Sequence, residues 1–225
     1  MLRKIIAGGE THQSRFHDEN GKFIGVGELL YIPYNLPYIF LSKVLGRRAE
    51  QPWWPFTARN AIEAILHSDS VVIEFGSGYS TLWLARRASH VFAIEDNPEW
   101  FRKIESQLRE RNISNITLLN RKGEEFYDLS EFPPSTFDLA VVDGYCRFGC
   151  VRNVIPKLKA GGYLYLDNSD ADKDSKLNGP GEKKKAQSII IQYLEDHQDS
   201  FLQRFSGLVI GELSSAEGML MKLPK

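Results

Sequence analysis

The run Glu74-Phe75-Gly76-Ser77-Gly78-Tyr79-Ser80-Thr81 joins an acid, a glycine turn and two hydroxyl residues directly behind the apolar triplet Val71-Val72-Ile73. Glycines at Gly76 and Gly78 allow close backbone approach to a ligand, and Ser80 is placed to cap a following helix. Glu95 stands nineteen positions after Gly76 and is followed by Asp96. A carboxylate there can accept both hydrogen bonds of a ribose diol, so the spacing points to a nucleotide-like ligand. The turn has two glycines where the dinucleotide fingerprint has three, which argues against a bound pyrophosphate. Asp143 precedes another glycine and is a candidate base for deprotonating a nucleophile. Arg147, four residues later, stays protonated and can orient an anionic oxygen but cannot act as a base.

These residues need strand ends to hold them. From Val71 onward, β-rich runs alternate with helical periodicity, the pattern of a doubly wound α/β sheet. The strands are expected at 71–75, 91–95, 116–119, 138–143 and 163–167. Asn97 and Pro98 open a helix to Arg109, and Ala186, Ile189, Ile190, Tyr193 and Leu194 stripe a last one. Two closing strands, 207–212 and 218–223, read as an antiparallel hairpin. The segment 169–185, dense in Asp, Lys, Gly and Ser, reads as a loop beside the fifth strand end and a candidate lid.

Residues 1–56 differ in kind and are read as an N-terminal arm on a domain spanning 57–225. The stretch 29–45 is aromatic and aliphatic but is interrupted by Pro33 and Pro37, so a straight spanning helix is not expected. The arm is expected to pack on the sheet or on a second copy of the chain, making a homodimer. Of the adjacent Trp53 and Trp54, one is expected to cover a ligand; Thr57 is expected to cap the next helix.

Lys plus Arg number 28 against 29 for Asp plus Glu, a formal charge of −1, which supplies no global field for a polyanion. The expected partner is therefore a small molecule, with no nucleic acid and no stable membrane insertion. Cys146 and Cys150 form neither a disulfide framework nor a zinc set, and a cytoplasmic protein is expected. There is no serine elbow, no histidine pair at zinc spacing and no Walker lysine.

The acid before the glycine turn, the acid ending strand two and the terminal hairpin together resemble the class I S-adenosylmethionine-dependent methyltransferases. The resemblance covers roughly 57–225. It implies a Rossmann-like, seven-stranded, mostly parallel sheet and S-adenosyl-L-methionine as cofactor. It also implies cofactor contacts from Glu74, Gly76, Ser77, Gly78, Tyr79, Ser80, Thr81, Glu95, Asp96, Glu124 and Asp143, with Glu124 near the adenine. Asp143, Asp167 and Asn168 match the metal-holding positions of the catechol and caffeoyl-CoA O-methyltransferase group. That implies a divalent cation such as Mg activating a hydroxyl, although Cys146 stands where that group has a lysine. Methyl transfer to an oxygen of a small acceptor is the expected reaction, with Asp143 and Arg147 at the reacting centre. A nicotinamide-dependent oxidoreductase and a non-catalytic binding module are the alternatives.

Overall fold

The computed structural model describes residues 13–170 and 182–225. Seven strands form one sheet in the order β3-β2-β1-β4-β5-β7-β6. They are β1 (Val71–Phe75), β2 (His90–Glu95), β3 (Ile116–Asn120), β4 (Phe137–Val142), β5 (Leu158–Leu166), β6 (Phe201–Leu208) and β7 (Ser215–Lys222). The first five pair in parallel, and β7 runs antiparallel to both β5 and β6. The sheet is thus the expected doubly wound one with a terminal hairpin.

Side chains alternate across the central strands, as the two-residue period of an extended chain requires. Ile73 and Phe75 face one layer with Ile94, Ala140, Val142 and Leu164; Val72 faces the other with Ala93, Leu139 and Val141. The helices are α1 (Val26–Leu29), α2 (Ile32–Lys43), α3 (Phe56–Ile65), α4 (Tyr79–Ala85), α5 (Pro98–Glu110), α6 (Arg147–Val154) and α7 (Glu182–Asp196). Asn97 caps α5 through its side chain, which accepts from the Glu99 and Trp100 N–H groups. Pro98 adds its fixed φ at the first helical position, so α5 begins where its sequence requires.

Several boundaries moved for identifiable reasons. β5 starts at Leu158, ahead of the expected 163, because Leu158 pairs with Phe137 and the register then shifts before Tyr163. β6 starts six residues earlier than the glycine at position 207 suggested, and the hairpin turn falls at 209–214. Pro55, not Thr57, is the N-cap of α3, and no side chain caps it. Ser169 and Asp170, read as part of a solvated loop, are buried; Asp170 accepts from the Glu19 and Glu217 N–H groups. Residues 171–181 of that loop lie outside the described residues. Lys183, also assigned to the loop, belongs to the first turn of α7.

Parts of the arm pack on the hairpin: Arg15 and Asn35 donate to carbonyls of its turn, and Ser215 Oγ donates to the His17 carbonyl. Ile24 and Phe56 pack with Leu208 and Ile210, and Tyr31 stacks on Phe56 at 4.9 Å. Pro33 and Pro37 do not break α2: Pro33 sits in its first turn, and Pro37 lies one turn inside. A proline so near the start forfeits only an early intrahelical bond, and packing on the hairpin outweighs that loss. No described helix is long and apolar enough to cross a membrane.

Candidate active site

The parallel ladder continues one residue past the strand ends, and this sets the site's register. Gly76 N–H donates to the Ile94 carbonyl at 2.8 Å, Asp143 N–H to Phe75 at 2.9 Å, and Asp167 N–H to Val142 at 3.0 Å. Glu95, Gly76, Asp143 and Asp167 therefore line up along the carboxyl edge of the sheet, where open α/β folds bind ligands.

A cavity of about 420 Å³ opens there. Of the expected cofactor residues, Gly76, Ser77, Gly78, Tyr79, Ser80, Glu95, Asp96 and Asp143 line it. Glu74, Thr81 and Glu124 do not. Glu74 is fully buried beneath the turn, where its carboxylate accepts from the Thr81 hydroxyl. Thr81 Oγ1 in turn accepts from Gly78 N–H at 2.8 Å, so the pair braces the turn from below. Burial pushes the Glu74 carboxyl up to about 8; the Ser80 and Thr81 hydroxyls oppose that, and the charges of Asp143 and Glu95 add to it. Glu124 is exposed on a short 3₁₀ turn, Gly123–Phe126, whose buried anchor is Phe126. A depression of about 770 Å³ lies at the opposite, amino end of the strands, beside Tyr163 and Phe201, and has no acid from the strand-end set.

The two turn glycines do different work. A Cβ on Gly76, which has φ +91°, would meet Gly144 Cα at 2.8 Å and the Asp143 carbonyl at 2.9 Å. It makes room for the protein's own backbone, contrary to the expectation that it makes room for a ligand. Gly78 has an extended backbone and meets nothing closer than Ser80 Oγ at 3.6 Å. Its missing side chain leaves space on the cavity side, and this fits a cofactor lying across the turn. Gly76→Ala is expected to cost roughly 2–4 kcal/mol, read as a lower urea midpoint with an unchanged slope.

Glu95 is committed in part to its own loop. It accepts from Ser77 N–H and Ser77 Oγ, both at 2.9 Å, and from Asn97 N–H at 3.0 Å. An ionised carboxylate offers about four acceptor positions, so one remains for a sugar hydroxyl, and Asp96 lies beside it in the wall. Burial raises the Glu95 pKa, opposed by the Asn97 and Ser77 donors. Trp100, Gly144, Tyr145, Arg48, Gln51 and Trp53 complete the lining. The Trp100 indole donates to the Ser77 carbonyl at 2.6 Å. Trp53 is the tryptophan that faces ligand space, with Arg48 stacked 3.6 Å from its ring centre. Trp54 is wholly buried between Trp83 and Tyr165 and is part of the core.

Beside this cavity lies a cleft of about 260 Å³, lined by Trp53, Asp143, Asp167, Asn168 and the hairpin turn. Arg147 does not line either space; it is buried and donates to Asp143 Oδ1 at 3.1 Å and to the Gly144 carbonyl at 2.9 Å. The Asp143 carboxyl is raised by burial and held back by the Arg147 guanidinium, by a hydrogen bond from Asp167 and by the Trp54 indole. Asp167 is raised well above the carboxylate range, first by burial and then by the charge on Asp143. Burial is thus the first cause in both carboxyls, and the two interact with each other across the cleft.

The expected metal positions do come together, but they do not fit a cation as placed. Arg147 occupies Asp143, while the Tyr165 hydroxyl at 2.9 Å and the Asn168 amide occupy Asp167. Among the described residues no group of three or more His, Cys, Asp or Glu is arranged to hold a metal ion.

A family model described as a methyltransferase domain matches residues 73–169, from β1 through Ser169. This match covers less than half of the chain, the part that carries the glycine turn and the strand-end acids. The chain is similar in fold to an rRNA methylase from Streptococcus thermophilus, with 14% identity, TM-score 0.55, and coverage of 75% of this chain and 95% of that one. It is also similar to a candidate methyltransferase from Streptococcus mutans in complex with SAH, with 16% identity, TM-score 0.54, and coverage of 74% and 96%. A third neighbour is an S-adenosylmethionine-dependent O-methyltransferase from Thermotoga maritima, with 17% identity, TM-score 0.54, and coverage of 84% and 72%. No curated protein sequence matches this chain. The rRNA methylase among these neighbours overturns the exclusion of nucleic acid drawn from net charge. A sum over the whole chain says nothing about a local surface, which is where a polyanion would be met.

Proposed function

We propose that this protein is an S-adenosylmethionine-dependent methyltransferase of class I that transfers a methyl group to a hydroxyl of a small-molecule acceptor, with Asp143 as the base. The observation that carries this reading is that Asp143 and Trp53 line both the cofactor-sized cavity and the neighbouring acid cleft. S-adenosylmethionine, when bound, supplies an electrophilic methyl group on a sulfonium. Ser77 to Ser80 would hold its amino-acid part, Glu95 and Asp96 its ribose, and Tyr145 and Trp100 its base. Asp143 faces the cleft and accepts the acceptor's proton; Arg147 holds its carboxylate in place. The enclosing walls exclude water and align the reactants, the larger part of what a displacement of this kind needs.

The division into an arm over 1–56 and a cofactor domain over 57–225 belongs to the same proposal. It is supported by the arm's separate packing cluster and by a family match that begins at Ile73. Calorimetry with S-adenosylhomocysteine tests the cofactor half: micromolar binding is expected, and binding of NAD in its place would end the reading. Because Arg147 already neutralises Asp143, turnover is expected to survive excess EDTA unchanged; a tenfold loss restored by Mg would return the cation to the site.

A further inference from the structure

The acid cleft has a wall that the cofactor half of the fold does not require. Asn35 lies about one turn into α2, wholly buried, and all three hydrogen bonds of its side chain go to the turn between β6 and β7. Its amide nitrogen donates to the Val209 and Glu212 carbonyls at 2.9 and 2.8 Å, and its oxygen accepts from Gly211 N–H at 2.7 Å. A buried amide with three such bonds fixes the turn's shape. The turn then presents Glu212 and Ser214 to the cleft opposite Trp53. Glu212 lies 4.0 Å from Lys43 and accepts from Ser214 Oγ at 3.2 Å, leaving acceptor positions open.

The cleft therefore combines an exposed indole with carboxylate and amide oxygens on more than one side. Acceptor-rich walls call for a ligand rich in donors and repel an anion; an aromatic face suits a ring edged with C–H groups. Building on the reading of Asp143 as base, we propose that the acceptor is a neutral polyhydroxylated ring, sugar-like in chemistry. Trp53 packs against its face and Glu212 grips its hydroxyls, with Asn35 as the positioning residue for that grip.

The test uses the full chain with S-adenosylmethionine and a panel of methyl pyranosides (gluco, manno, galacto and rhamno), with catechol and a short RNA oligonucleotide as competitors. Formation of S-adenosylhomocysteine and of O-methylated glycoside is expected with at least one pyranoside. Glu212→Gln should raise its KM about tenfold with kcat and S-adenosylhomocysteine affinity unchanged, because Glu212 is outside the cofactor cavity. Asn35→Ala should do the same through the misplaced turn, and circular dichroism should report an intact fold. Transfer to catechol or RNA with none to any pyranoside overturns the inference, as does transfer to no member of the panel or a KM indifferent to Glu212→Gln. Cofactor binding separates the two levels: if S-adenosylhomocysteine binds and these results fail, the acceptor class is wrong and the methyltransferase reading stands.

Discussion

Asp143→Asn is expected to lower kcat by about 10²–10⁴-fold, the usual scale of a positioned general base, while S-adenosylhomocysteine affinity changes by only a few-fold. The amide keeps the size of the carboxylate and its place at the junction of the two spaces, so the loss isolates proton removal from packing. It leaves Arg147 facing a neutral group, and the buried guanidinium then lacks its counterion. Some stability is therefore lost as well, and kcat must be read on protein shown to be folded by its urea midpoint. Unchanged kcat in folded Asp143→Asn protein would remove this residue from the mechanism.

Glu74→Gln is the second large effect and reads out in stability. The Glu74 carboxyl is fully buried and titrates near 8 in the folded protein, against 4.5 as the ordinary value. A folded pKa above the unfolded one means that the folded state binds the extra proton. The contribution is complete below about pH 4.5 and is lost as pH rises through about 8. Over that window the wild type should lose about 1.4 kcal/mol per pH unit relative to Glu74→Gln, and the gap should flatten above it. Parallel urea titrations of the two proteins at pH 5, 6, 7, 8 and 9 measure the difference directly, which cancels other carboxyls such as Asp167. A constant gap would mean that Glu74 is ionised in the folded protein and that a donor reaches its second oxygen.

The parts of the site legible in the sequence are those set by short-range pattern. Val71–Phe75 is a central strand because nearly every side chain in it is apolar, and Asn97-Pro98 starts a helix by local hydrogen bonding alone. Glu95 and Asp143 follow, because the ends of such strands must share one edge. What could not be read depends on contacts between distant segments. Trp53 and Trp54 are neighbours with the same side chain, and only the packing of α3 on the sheet decides which enters the core. Asn35 carries no signal of its own in the sequence, yet its side chain serves a turn more than 170 positions away. Glu124 sits at a suitable spacing, but the turn carrying it is anchored by Phe126 and points the acid to solvent. The hairpin shifted for the same reason, since its turn is held from outside by Asn35 rather than by its own glycines.

The contact between Gly76 and Gly144 carries a constraint on how this protein can change. A Cβ on either residue would intrude on the other's backbone to within 3 Å, and Gly144 is hemmed in further by the Phe126 ring. Variation at one position cannot be rescued by shrinking the other, since both already lack a side chain. Directed evolution toward new acceptors would therefore find these two sites closed, and productive diversity would be concentrated at the hairpin turn and the Arg48–Trp53 strap.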